Sequence, residues 1–164
     1  MRRDEKEIAA WLKDAHAMEI NLENMLKGQI EEFNEFPGIQ ERIRLHAEET
    51  RRHATLVEEA LDFIGQETST LKEGIAKISS KIGSFGSGWT DDSPVKLVLS
   101  DFASEQFEIA CYRSLICATG EAGLSEIQEI CSQILEEERH MAAFLEENID
   151  MVTRAHFEHL VVKE

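Results

Sequence analysis

The chain has 164 residues, with 33 acidic and 17 basic side chains and a net charge of −16 at neutral pH. That length fits a single domain able to bury most of its apolar surface, and the charge repels nucleic acid and anionic lipid, so neither is an expected partner. No segment is long and apolar enough to span a membrane, and the charged start Met1 to Glu7 leads into an amphipathic pattern rather than a secretory leader, so a cytoplasmic location is expected. Cys111, Cys117 and Cys131 are odd in number and lack C-x-x-C spacing. They read as small core residues in a reducing compartment.

Two prolines, nine glycines and no strand-like alternation predict an all-α chain. The first helix is expected over about 4–33, stopped by Asn34 to Gly38, where Pro37 forces the preceding residue out of helical dihedrals. A second helix follows over about 38–64 and ends at Gly65. Thr70 and Glu73 form a capping-box pattern for a short helix, 71–82, with Leu71, Ile75, Ile78 and Ile82 on one face. A glycine-rich loop, 83–88, completes a long crossover.

Ser93 followed by Pro94 is an N-cap with proline at the first helical position, opening a helix over about 94–119. Gly120 to Gly123 make a turn, and Ser125 with Gln128 caps a last helix over about 125–158. Two hairpins joined by one long crossover are the ferritin-like arrangement of a four-helix bundle. The halves also echo one another, Met18–Asn21 against Phe107–Ala110 and Glu48–Arg51 against Glu136–Arg139, which implies a pseudo-twofold relation.

Four glutamates break the apolar stripes of these helices. Glu19 falls among Ile8, Trp11, Ala15, Leu22 and Leu26, and Glu49 among Ile43, Val57, Ala60 and Ile64. Glu108 falls beside Phe102, Ile109, Tyr112 and Leu115, and Glu137 within Ile127, Ile134, Phe144 and Val152. His53 and His140 each follow a glutamate by one turn. Unpaired buried carboxylates cost several kcal/mol each. Protonation, arginine partners or metal ions could each neutralise them. Two divalent cations balance four carboxylates, and neutral imidazoles add ligands without charge. Such oxygen-rich sites with histidine suit iron or manganese, with zinc as a surrogate. The candidate ligands are therefore Glu19, Glu49, His53, Glu108, Glu137 and His140. Glu105 is a possible addition to the set, His46 a support behind Glu49, and Tyr112 a residue that could line the site.

Ser104 to Leu115, reading S-E-Q-F-E-I-A-C-Y-R-S-L, resembles the third-helix signature V-E-H-Y-E-I-A-x-Y-x-x-L of the YciF-type ferritin-like bacterial stress-response family. Leu12 to Glu19, His46 to Thr50 with His53, and Leu135 to Glu138 resemble its other helix motifs, so the resemblance spans about residues 8–150. It implies a ferritin-like bundle, a homodimer, and a metal site at Glu19, Glu49, Glu108 and Glu137. Gln106 stands where the family has histidine, and His140 where the family lacks it.

Two functions follow. The first is a dinuclear iron or manganese protein of stress response that handles metal, peroxide or oxygen; as an enzyme it would be a ferroxidase- or catalase-like oxidoreductase. The second is a non-catalytic bundle serving dimerisation or partner binding, without functional metal.

Overall fold

Our computed structural model describes residues 2–66 and 93–162. The short helix expected over 71–82 and the glycine-rich loop lie outside the described residues. Helix α1 spans Arg3–Gln29 and tightens into a 3₁₀ turn, Ile30–Phe33; α2 spans Pro37–Phe63, α3 Pro94–Ala122 and α4 Ser125–Val162. Among the described residues there is no strand. The architecture is an all-α, ferritin-like four-helix bundle.

The ends of the helices follow local chemistry. Pro37 sits at the start of α2 with Phe36 before it in a non-helical conformation. Ser93 caps α3, its hydroxyl accepting from the Lys96 amide at 3.4 Å. Gly65 closes α2 at φ 66°, its amide donating to the Asp62 carbonyl, while the Gln66 amide donates to that of Leu61.

The turn between α3 and α4 is shorter than expected. Gly120 stays helical, and the left-handed residue is Gly123 at φ 72°. Gln128 does not close a capping box with Ser125; its amide donates to the Ile116 carbonyl at 3.1 Å, passing where a Cβ on Gly120 would meet Nε2 at 2.6 Å. Gly120 therefore serves a close approach, and Gly123 supplies the turn.

Each hairpin packs most extensively on itself, and α1 also contacts α3 while α2 contacts α4. Arg2 donates to the Ala122 carbonyl at 2.8 Å at one end of the bundle, and Gln29 donates to Asp101 at 2.6 Å towards the other. Helices α1 and α3 thus run antiparallel. It follows that α2 and α3 run parallel.

All four helices bury residues at alternating spacings of three and four. On α1 these are Ile8, Leu12, Ala15, Glu19, Leu22 and Leu26; on α4 they are Ile127, Cys131, Ile134, Glu138, Met141 and Leu145. The apolar members form two clusters. One holds Leu12, Val57, Leu61, Tyr112 and Ile134, and the other Leu26, Phe33, Ile43, Val98 and Leu145. Between them, at one level, every helix contributes polar side chains.

Candidate metal centre

Six ionisable side chains make up this middle layer: Glu19 from α1, His46 and His53 from α2, Glu105 and Glu108 from α3, and Glu138 from α4, each at most 2% exposed. They are in phase with the apolar stripes on either side. His46 and His53 are seven positions apart, two helical turns, and Glu105 and Glu108 are one turn apart. Packing the leucines and isoleucines therefore forces these groups inward.

Five of them gather into two triads that share Glu138, and Glu108 belongs to neither. In the first, His53 Nδ1 lies 2.7 Å from Glu138 Oε1 and 3.6 Å from Glu19 Oε2. In the second, His46 Nε2 lies 3.0 Å from Glu105 Oε1 and 3.4 Å from Glu138 Oε2. Ligand atoms about 2.0–2.2 Å from a common ion stand roughly 3–4 Å apart; the 3.6, 3.0 and 3.4 Å separations fall in that range, and the 2.7 Å His53–Glu138 approach lies just short of it. Glu138 turns one oxygen to each triad.

A second observation points the same way. Glu19 Oε2, His53 Nδ1, Glu105 Oε2, Glu108 Oε1 and both Glu138 oxygens are buried without a hydrogen-bond partner among the described residues. Buried polar atoms are normally satisfied. Here six such atoms converge in one layer, and the short His53–Glu138 approach is not aligned as a hydrogen bond. These donors fit divalent metal ions with mixed oxygen and imidazole preferences.

The electrostatics show what the layer does without metal. Burial pushes the Glu19 carboxyl up, and the neighbouring Glu138 adds to this, while His53 and Tyr112 oppose it. Burial also raises Glu105 to about 8, against the pull of His46, and raises Glu108 well above the usual carboxylate range, with Glu138, Glu105 and Glu19 adding repulsion. Burial alone would lower the two imidazoles. Glu105 and Glu49 outweigh it and lift His46 to about 10, and Glu138 and Glu19 lift His53 to about 11. For Glu138, burial is overcome by His53 and His46, and its carboxyl is held below the usual range. In the metal-free protein, protons do the neutralising, and a binding metal ion must displace them.

Outside the triads, each imidazole has a second partner. His46 Nδ1 lies 2.9 Å from Glu49 Oε2, which also accepts from Arg42 at 2.9 Å. His53 Nε2 lies 2.8 Å from Glu137 Oε2, which also accepts from Arg52. Burial would raise the Glu49 carboxyl, but His46 and Arg42 hold it at about 2. Tyr112, fully buried, donates its hydroxyl to Glu19.

The structure thus brings together Glu19, His53 and Glu108 of the sequence candidates. It places Glu49 and Glu137 at the rim, behind the imidazoles, and His140 on an exposed face of α4. The reason is helical phase. Glu136, Glu137 and Glu138 have side chains 62%, 24% and 0% exposed, because successive residues turn about 100° around the axis. Reading the α4 stripe through Phe144, which is only half-buried, selects Glu137; the stripe through Met141 and Leu145 selects Glu138. His46 is likewise inside the site rather than behind it, and its signal was the seven-residue spacing to His53. Cys111, Cys117 and Cys131 are free thiols, and no described helix is long and apolar enough to cross a membrane.

Comparison with known proteins adds the following. The family described as a domain of unknown function, DUF892, matches residues 5–158. A protein of Xanthomonas campestris pv. campestris has a crystal structure similar to this one, with a TM-score of 0.80 and 29% identity over 96% of this chain and 98% of that one. The E. coli stress protein YciF shares the fold at a TM-score of 0.74 and 15% identity, over 94% of this chain and 99% of that one.

Proposed function

The chain belongs to the DUF892 family, has the YciF-type ferritin-like fold, and, we propose, holds two divalent metal ions, iron or manganese, in the layer shared by its four helices. The observation that carries this reading is Glu138, whose two unpartnered oxygens face two separate histidine–glutamate triads. Glu19, His53 and Glu138 would hold one ion, and His46, Glu105 and Glu138 the other. Glu108, buried and repelled by Glu138, Glu105 and Glu19, adds the fourth carboxylate. Four carboxylates then balance two dications.

Iron or manganese in such a site supplies one-electron redox chemistry towards oxygen or peroxide. The chain's own residues set the conditions for it. Apolar clusters on both sides limit water, and Tyr112 keeps one Glu19 oxygen bonded. We therefore read the protein as a handler of metal, peroxide or oxygen; the name of its E. coli neighbour, a stress protein, supports that setting. The homodimer implied by the family resemblance belongs to the same proposal, and a monomer in analytical ultracentrifugation would remove it.

The test is metal content. Protein purified without chelator and loaded anaerobically with iron(II) or manganese(II) should hold two ions per chain by mass spectrometry, and Glu138→Ala should lose both. Folded wild-type protein that binds no metal above background leaves the bundle as a non-catalytic interaction module.

A further inference from the structure

Building on the metal reading above, we propose that the two half-sites use different imidazole nitrogens, His46 binding through Nε2 and His53 through Nδ1. In each case an outer carboxylate held by an arginine, Glu49 or Glu137, imposes the choice. Glu49 and Glu137 are thus positioning residues that act through the rings.

The geometry is specific on this point. Each ring has carboxylate oxygen against both nitrogens. His46 has Glu49 at Nδ1, 2.9 Å, and Glu105 at Nε2, 3.0 Å. His53 has Glu137 at Nε2, 2.8 Å, and Glu138 at Nδ1, 2.7 Å. Turning either ring over would set carbon against these oxygens, so the orientations are fixed. An ion replaces the proton on the inward nitrogen only, because the outward one needs its N–H to satisfy the outer carboxylate. The outer carboxylates are themselves committed: Glu49 accepts from Arg42 and Glu137 from Arg52, both at the rim. Charge-assisted bonds of this kind hold a carboxylate in one orientation.

The consequence is asymmetry. The halves of the sequence echo one another, yet both imidazoles come from α2 and meet their ions through opposite edges of the ring. The ion at His46 is held with two glutamates of α3 and α4; the ion at His53 is held with glutamates of α1 and α4, one of them bonded to Tyr112. Two inequivalent metal positions follow.

The experiment uses zinc, which is diamagnetic, and protein labelled with ¹⁵N-histidine. Long-range ¹H–¹⁵N spectra of the zinc-loaded protein should show the proton on Nδ1 for His46 and on Nε2 for His53, the resonances being assigned with Glu49→Gln and Glu137→Gln. Glu49→Ala and Glu137→Ala should still bind two zinc ions per chain but about 10–100-fold more weakly, and the glutamine variants, whose amide oxygen still accepts the N–H, should recover part of that loss. Both rings bound through the same type of nitrogen, or loss of one zinc from either alanine variant, would overturn the inference while leaving the metal site in place. Wild-type protein that binds no zinc would overturn the metal reading and this inference with it. If an alanine variant does not fold, the wild-type spectrum alone decides.

Discussion

The middle layer and the apolar clusters beside it use the same helices at the same spacing, yet they are stabilised in opposite ways. Leu12, Val57, Leu61 and Ile134 gain by leaving water, and need nothing else. Glu19, Glu105, Glu108, Glu138, His46 and His53 lose by leaving water, and are tolerable only with protons or cations among them. A bundle that wanted only stability would continue the apolar seam through this level. Interrupting it on all four helices at once is the mark of a site.

That contrast can be broken or sharpened experimentally. The largest effect is expected in the apolar cluster. Leu61→Ala, at a fully buried position, should cost about 2–5 kcal/mol in denaturant unfolding, and by the same amount with and without metal. A cost that depends on metal loading would mean that the two regions are not separable.

The next effect is the pH dependence of the metal-free layer. His46 at about 10 and His53 at about 11 lie above the ordinary histidine value of 6.5, so their stabilisation is complete below pH 6.5 and is lost as pH rises through 10 to 11. Glu105, raised from 4.5 to about 8, holds its proton more tightly when folded, so stability falls in the same direction between pH 4.5 and 8. Metal-free protein should therefore have a Tm that falls from pH 7 to 10. Metal binding displaces these protons, so the Tm gain on loading should widen over the same range. A metal-free Tm that rises with pH would remove the protonic account of the layer.

The smallest effect concerns Thr50, which lies in the layer at 1% exposure but gives its hydroxyl to the His46 carbonyl at 2.9 Å. Being satisfied by its own helix, it has no call on a metal ion. Thr50→Val should cost about 1 kcal/mol or less and leave two ions per chain. Loss of an ion in that variant would extend the ligand set to α2's third polar residue.

The legibility of this protein in its sequence follows from the same contrast. Helix ends were readable where a single residue has no alternative: Pro37 and Pro94 at first positions, Ser93 as cap, Gly65 with positive φ. Where two glycines competed, at 120 and 123, the sequence offered no basis for choosing, because the deciding factor was the path of the Gln128 side chain against α3. Glu19 and Glu108 stood out as isolated carboxylates in apolar stripes, and both are buried. Glu138 is hidden in a run of three glutamates, and His46 stands one turn before Glu49, which breaks the same stripe.

The sequence alone therefore determined an all-α bundle of two hairpins and a long crossover, and a seam whose apolar run is broken by acidic residues and histidines at one level. These depend on periodicity and on proline and glycine, which act within a few residues. Tertiary structure decided which carboxylates face each other. Adjacent glutamates differ by about 100° around a helix, and only the packing of the whole stripe, Ile134 and Met141 against the other three helices, turns Glu138 inward and leaves Glu137 at the rim. The pairing of His46 with Glu105 and of His53 with Glu138 crosses between hairpins, 59 positions apart in the first case. No local pattern encodes a distance of that kind.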